Sequence, residues 1–219
     1  MGKMHKLTRH ARLVAFTLLT ALVAACASGD VSTRNAPLVG TSTKKPVSAS
    51  LNVQDLVVSV PRTLSVSEAN LYYPVADIVW RGDPRGNRRE QVKQIVRDGL
   101  SAGIRQMQPG TIPVVVDVEV TRFHSVSEKA RYSVGGVHAV HFRYVLRNPD
   151  TGEAYAAPKF VRADLNAYGG QRAIEAERRG ITMKLRIMSH LAKVIQHELS
   201  DPEGYHAASM GLAPRQARF

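Results

Sequence analysis

Between Pro113 and His124 the chain alternates strictly. Val114, Val116, Val118 and Val120 fall on one face of an extended strand, and Asp117, Glu119 and Thr121 on the other. No helical period accommodates that run, so the chain must build a sheet with one apolar face and one wet face. His138 to Arg147 repeats the pattern, with Val140, Phe142, Tyr144 and Leu146 set against His141, Arg143, Val145 and Arg147. Ser125 to Gly136 lies between them as a long turn, and Gly135-Gly136 marks a bend or bulge. Pairing of these two strands sets the acids of the first against the basic residues of the second, at about 0.2–1 kcal/mol for each cross-strand pair.

The other elements follow from their periods. Leu56-Val57-Val58-Ser59-Val60 reads as a strand closed by Pro61. Leu71 to Trp80 reads as a second extended, aromatic piece. Asn87 with Glu90 three residues later has the form of a capping box. Val92, Ile95, Val96, Leu100 and Ile104 then follow at helical spacing, up to a stop at Pro109-Gly110. Gly99 and Gly103 near that apolar face weaken the helix by about 1 kcal/mol each relative to alanine. They therefore imply close packing, expected here against the sheet. Asn148-Pro149-Asp150-Thr151-Gly152 is turn chemistry, with a third strand expected over 154–165. Gln171 to Leu199 reads as helix with a core stripe of Leu185, Met188, Ala192, Ile195 and Leu199, divided near Gly180. The expected fold class is α+β: an antiparallel sheet of about four strands with two helices packed on one face. Residues 51–200 make the single domain, long enough to bury a core. A flexible Ser/Thr/Gly/Pro-rich linker precedes it from residue 27 to 50, and a disordered tail occupies 201–219.

The N-terminus carries an address. Lys3, Lys6, Arg9 and Arg12 precede the apolar run LVAFTLLTALVAA, Leu13 to Ala25. That run is shorter than the about 20 residues a bilayer-spanning helix needs, and it has the form of a secretory signal over residues 1–25. It ends in Val23-Ala24-Ala25-Cys26, which resembles a lipobox. By that resemblance the chain is cut between Ala25 and Cys26, and Cys26 carries lipid. Cys26 is the only cysteine, so no internal disulfide is available, and acylation would remove a free thiol from an oxidising compartment. More than one acyl chain gives stable anchoring. Ala27, where an aspartate would favour inner-membrane retention, points to the outer membrane. The expected location is the cell envelope, facing the periplasm.

The net charge is +12. Removing the four basic residues of the signal, which has no acid, leaves +8 by subtraction. The simpler reading of this charge is a solvated basic surface; the alternative is a surface suited to anionic lipid or cell-wall polymer. Nucleic acid is excluded as a partner by the exported address. Catalytic patterns are missing: there is no GxSxG elbow, HExxH helix or P-loop. His124, His138 and His141 lie near Asp117 and Glu119, but His138 and His141 are three apart and point to opposite faces of a strand, so no metal site is expected. Asp117 and Glu119 share one strand face, whereas a glycosidase pair flanks a cleft, and basic partners on the next strand explain them. Arg81-Gly82-Asp83 reads as a loop entering a helix, and Tyr168-Gly169-Gly170 as a flexible helix entry that could also cradle an anion. No cofactor is expected. The candidate contact surface is Tyr72, Tyr73 and Trp80 with Arg81 and Arg85, aromatic residues beside cations. The alternative is that these aromatics plug the edge of the core.

Three segments carry a family resemblance: YPVADIVWRGDPRGNRREQVK, VVVDVEVTRFHSVSEKARYSVGGVHAVHF and DLNAYGGQRAIEAERRG. The chain resembles a family of uncharacterised alphaproteobacterial lipoproteins, catalogued as a domain of unknown function, over about Asp55 to Leu199. The order of elements is also similar to periplasmic lipoproteins that accompany envelope transporters or lipid-trafficking systems, a likeness of fold only. The resemblance is silent on activity; the tether and the missing catalytic patterns lead to the expectation of a membrane-anchored, non-enzymatic binding or assembly accessory with an envelope protein as partner. A small-ligand or cell-wall binder is the alternative, and a hydrolase with an unrecognised site a third reading.

Overall fold

The computed structural model describes residues 51–200. The signal segment with its Ala25/Cys26 junction, the linker and the C-terminal tail lie outside the described residues. Five strands and one long helix form the frame: β1 (Leu51–Ser59), β2 (Ile78–Val79), α1 (Arg88–Ile104), β3 (Ile112–His124), β4 (Gly136–Arg147) and β5 (Lys159–Arg162). A one-turn helix α2 (Glu128–Arg131) interrupts the β3–β4 turn. A short strand β6 (Leu165–Ala167), then α3 (Gly170–Arg178) and α4 (Met183–Ser200), complete the domain.

The sheet runs in the order β1-β3-β4-β5, with β2 pairing the end of β3 and β6 the start of β4. It is mixed, not antiparallel as expected. β1 and β2 run parallel to β3, whereas β4 pairs antiparallel to β3, β5 and β6. The reason is the connection: α1 carries the chain back along the sheet before β3 begins, and a strand re-entering after such a crossover must run parallel to the one before it. Alternation alone reports a wet face and is silent on direction.

Register follows the alternation. Val114, Val116, Val118 and Val120 are buried, and so are Leu56 and Val58 of β1, His138, Val140, Phe142 and Tyr144 of β4, and Val161 of β5. On the open face Glu119 stands opposite Arg143 and ion-pairs with it, while Asp117 reaches Arg147 at 3.0 Å. A bulge at Thr121 then shifts the pattern by one, so Phe123 rather than Arg122 enters the core.

Helices α1 and α4 pack against each other and cover the apolar face. Asn87 caps α1, its Oδ1 accepting from the Glu90 N–H at 3.3 Å. Gly99 and Gly103 do mark a close approach, but to α4 and not to the sheet. A Cβ on Gly103 would stand 2.3 Å from the Ala192 carbonyl oxygen, and one on Gly99 would stand 3.0 Å from the Leu191 Cβ. The C-terminal helical stretch is two helices. Gly180, at φ +76°, sits just past α3, with Gly180 N–H bonded to Glu177 O and Ile181 N–H to Ala176 O, the hydrogen-bond pair of a Schellman stop. Thr182 Oγ1 accepts from Leu185 N–H as α4 starts.

Two expectations shift. The buried stripe of α4 is Met183, Ile187, Leu191, Ala192, Val194, Ile195 and Leu199, so Ala192, Ile195 and Leu199 are buried as expected, whereas Leu185 is exposed and Met188 only partly buried. The stripe rotated because α1 and the sheet meet α4 from two directions, which widens its apolar arc. The third strand is shorter than expected. Ala154 makes an isolated bridge to Arg147, residues 155–158 are exposed, and of the stretch beyond them only β5 and β6 form strands, both paired with β4.

Candidate functional site

The end of the sheet where β3 finishes, opposite the Leu51–Ile112 pairing, gathers the loops that the sequence singled out. Residues 61–77 make a long loop rather than the extended piece expected at Leu71 to Trp80, and only Ile78 and Val79 form a strand. The base of this loop is clamped. Ser65 N–H and Oγ both donate to Asp77 Oδ2, at 2.9 and 2.7 Å, and Asp77 N–H donates back to Ser65 Oγ. These bonds, the hydroxyl first, hold the Asp77 carboxyl below its ordinary range.

The loop's crest is pinned from behind. Ser127 Oγ donates to Leu71 O at 2.6 Å, Lys129 N–H to Asn70 Oδ1 at 2.8 Å, and His124 Nε2 to Pro74 O at 2.8 Å. Tyr73 stacks on His124 with centroids 4.5 Å apart and accepts from Arg122 through its hydroxyl; Lys129 lies 4.6 Å over the Tyr72 ring. Residues 69–76 carry no charge, and Leu71, Tyr72, Tyr73 and Val75 stay exposed, Val75 at 94%. Fixed backbone with projecting apolar side chains is the anatomy of a contact loop.

The expected aromatic surface is therefore divided. Tyr72 and Tyr73 are on it, but Trp80 is not. Trp80 is fully buried, edge-on to Phe123 at 5.7 Å, and its Nε1–H donates to Asp83 Oδ2 at 2.9 Å. Its ring lies over Gly82, where a Cβ would come within 2.4 Å, which accounts for the glycine in Trp80-Arg81-Gly82-Asp83. Arg81 is also withdrawn, since it bridges Glu68 O and the Glu128 carboxylate. Arg85 is exposed, beside an open cleft of about 570 Å³ lined by Asp83, Asn87, Glu90 and Lys184. Arg88 is nearly buried and organises the corner. It pairs with Glu68 through Nε and Nη2 and donates through Nη1 to Asp83 O, Pro84 O and Gln91 Oε1. That pairing outweighs the burial that opposes it, so Glu68 is held below the ordinary carboxylate range and Arg88 above its own.

The remaining polar groups have structural employment. Ser125 Oγ and His138 Nδ1 share a 2.8 Å hydrogen bond, a pairing the sequence reading missed, since the two lie thirteen positions apart across the β3–β4 turn. Ser125 is 1% exposed and His138 0%, with the Met183 sulfur 3.9 Å from the hydroxyl, so substrate has no approach to this pair. Burial, with Arg186, Arg131 and His190 nearby, pushes His138 down to about 3. His141, on the opposite face, holds Asp164 at 2.8 Å. Burial alone would raise Asp164, but the bond and charge of His141, with Arg162, bring it below its ordinary value. Asp117 and Glu119 border a cleft of about 260 Å³ on the open sheet face, in ion pairs with Arg147 and Arg143. Among the described residues no three metal-ligating side chains converge, and no helix is long and apolar enough to cross a membrane.

A second feature at the same end had only a weak signal in the sequence. The Tyr168-Gly169-Gly170 corner packs its backbone on Gly135; a Cβ on Gly169 would stand 2.3 Å from Gly135 N. Tyr168 lies between two guanidinium groups, Arg172 at 4.1 Å and Arg186 at 3.5 Å from the ring centroid. The glycines mark the corner, but Arg186 reaches it from α4, through packing that no local pattern shows.

Residues 51–215 match the model of a family of unknown function, DUF6778. No curated protein matches the chain. Among solved structures, the chain is similar to protein XCC0632 of Xanthomonas campestris, from family DUF330. Identity is 12% and the TM-score 0.44, over 71% of this chain and 86% of that one. It is also similar to a candidate lipoprotein of Caulobacter crescentus, at 12% identity and TM-score 0.35, over 66% of this chain and 87% of that one.

Proposed function

The chain belongs to DUF6778, a family of unknown function, and on that footing we propose that it is a lipid-anchored envelope accessory. It is cleaved before Cys26, held by lipid on that cysteine, and docks an envelope protein through the loop at residues 69–76. The observation that carries the docking role is the contrast within this loop. Its backbone is tied at Leu71 and Pro74 and the Asn70 side chain is held by Lys129 N–H, while Leu71, Tyr72, Tyr73 and Val75 project. A preorganised loop gives up little conformational entropy on binding, so its apolar area contributes more fully to affinity. The anchor rests on the sequence: a basic segment, a short apolar run and Val23-Ala24-Ala25-Cys26. Ala27 in place of an acid supports the outer membrane, with the domain facing the periplasm. The alternative reading as a small-ligand or cell-wall binder built on Tyr72, Tyr73 and Trp80 loses its tryptophan to the core.

Mass spectrometry of the mature N-terminus, with membrane fractionation of wild type and Cys26→Ala, tests the anchor. An acylated Cys26 peptide, and release of the variant from membranes, is the expected result. An unmodified N-terminus or unchanged membrane retention would overturn it. The docking role is tested by a photo-crosslinker at position 75. A defined adduct in the envelope fraction should vanish in Leu71→Ser/Tyr72→Ser, with the melting temperature unchanged. An adduct indifferent to those changes would refute a role for the loop.

A further inference from the structure

We propose that Arg172 and Arg186, held on Tyr168, form a binding site for a phosphate-class oxyanion. Tyr168 leads into α3, Arg172 lies in the first turn of that helix, and Arg186 comes from the first turn of α4. Topology alone brings the two cations to one phenol. Among the described residues neither guanidinium has a carboxylate at ion-pair distance. The one further bond of the Arg186 side chain is donation to Asn166 O at 2.7 Å. The acid in the adjoining cavity is committed elsewhere: Glu177 holds Arg131 at 3.1 Å and accepts from the Tyr132 hydroxyl at 3.3 Å. This is unusual for a packed corner, because two like charges set side by side repel unless an anion joins them.

Tyr168 registers that positive charge directly, and Arg186 and His138 feel it second to burial. Tyr168 is drawn below its ordinary phenol value, by Arg186 first and then by its hydrogen bond from Arg172. Arg186 is lowered, by burial first, with the charge of Arg172 adding to it. His138 behind them is lowered by burial and then by Arg186 and Arg131. The geometry names the ligand class. Two guanidiniums offer planar forks of N–H donors that match phosphate oxygens, and the N-terminal turn of α3, whose cap Gly169 supplies no side-chain bond, adds free backbone N–H groups beside them. The cavity lined by Arg131, Tyr168, Met183 and Arg186 holds only about 10 Å³. The ligand is therefore a compact group presented at its mouth, not a molecule enclosed by the protein. A free phosphate and a phospholipid headgroup share that chemistry.

The test uses the purified full chain at constant ionic strength, with chloride as the balancing anion. Inorganic phosphate is titrated while tyrosinate absorbance is followed against pH. In the wild type, phosphate should raise the lowest-titrating phenol towards its ordinary value, because the anion neutralises the arginines. That signal should be absent in Tyr168→Phe. Arg172→Gln and Arg186→Gln should each weaken phosphate binding about tenfold or more, given the strength of charge-assisted bonds. Arg172 is exposed, so its variant keeps the test valid should Arg186→Gln fold poorly. Flotation with phosphatidylglycerol and with phosphatidylcholine vesicles separates the sources. Loss of binding to the anionic vesicles in Arg172→Gln assigns a lipid-borne phosphate. Phosphate binding with vesicle flotation untouched by the variant assigns a soluble one. If phosphate leaves tyrosinate absorbance unchanged at millimolar concentration, and Arg172→Gln floats like wild type on the anionic vesicles, the site does not exist.

Discussion

Replacing Gly103 by alanine sets two opposed effects against each other. In an isolated helix the change gains about 1 kcal/mol, because glycine is the poorer helix former. In α1 the added methyl would stand 2.3 Å from the Ala192 carbonyl oxygen, 2.8 Å from its Cα and 2.5 Å from the Ile195 Cγ2. Two of those three atoms are backbone, so no rotamer change relieves the overlap and α1 must lift off α4. The crossing is buried on both sides, with Ile195 and Leu191 in the core, so separation opens voids along it. Overpacking of this kind costs about 1–3 kcal/mol, and a backbone obstacle places Gly103 at the upper end. A net loss of about 2 kcal/mol follows, equivalent to roughly 4–8 °C in Tm for a domain of this size. Gly99→Ala is the internal control. Its Cβ would meet Leu191 Cβ at 3.0 Å and Met188 Cα at 3.1 Å, a shift of a few tenths of an ångström that the propensity gain can offset. Urea unfolding should give a much lower midpoint for Gly103→Ala, a midpoint near wild type for Gly99→Ala, and a common slope. A Gly103→Ala variant as stable as Gly99→Ala would refute the close crossing.

Other perturbations probe the polar interior. His138 is held neutral by burial and by Arg186 and Arg131, at about 3 against 6.5 in the open chain. The unfolded state therefore takes up the proton first, and stability present above pH 6.5 is lost as pH falls towards 3, by about 1.4 kcal/mol per pH unit. His138→Asn should flatten that slope in urea titrations between pH 6 and 4, and an unchanged slope would exclude His138 as its source. Arg88→Lys keeps the charge but not the fork that serves Glu68, Asp83 O, Pro84 O and Gln91, and should cost about 2–3 kcal/mol by chemical denaturation; an unperturbed midpoint would show that charge alone matters. Tyr144→Phe removes the hydroxyl that donates to the buried Glu198 at 3.2 Å and should cost about 1–2 kcal/mol, with Lys159 still pairing the acid. Glu68 and Asp77 are both held below their ordinary values, so the loop they fasten should stay protected above pH 5. Its amide protection factors should fall selectively as pH falls through their depressed values; a uniform fall across the domain would contradict a local clamp.

The sheet's two faces were legible because alternation encodes them directly. Val114 to Val120 and Val140 to Tyr144 went inward, and Asp117 and Glu119 found Arg147 and Arg143 as their spacing implied. Strand direction was not legible. It depends on whether the chain crosses back through a helix, and α1 reads the same whether its neighbours run parallel or antiparallel. The glycines of α1 announced a close approach but not its partner, because Gly99 and Gly103 say only that something is near. The α4 stripe was misplaced for a related reason. A helix meeting two neighbours buries a broad arc, and a single line through Leu185 and Met188 selects its wrong edge.

At the candidate site the same limit decides what each aromatic does. Tyr72, Tyr73 and Trp80 look equivalent in a list of residue types, yet Trp80 follows Ile78-Val79 into the core while the tyrosines crest a loop. The difference lies in Gly82 and Asp83. The glycine leaves room for the indole to lie flat, and the aspartate accepts its N–H, so the local motif marks a tryptophan that can afford to be buried. No comparable partner exists for Val75, which leaves it 94% exposed on a backbone tied by Pro74 O to His124. An apolar side chain that burial could have claimed, but that the loop holds outward, is the feature a docking surface requires and a folding core does not.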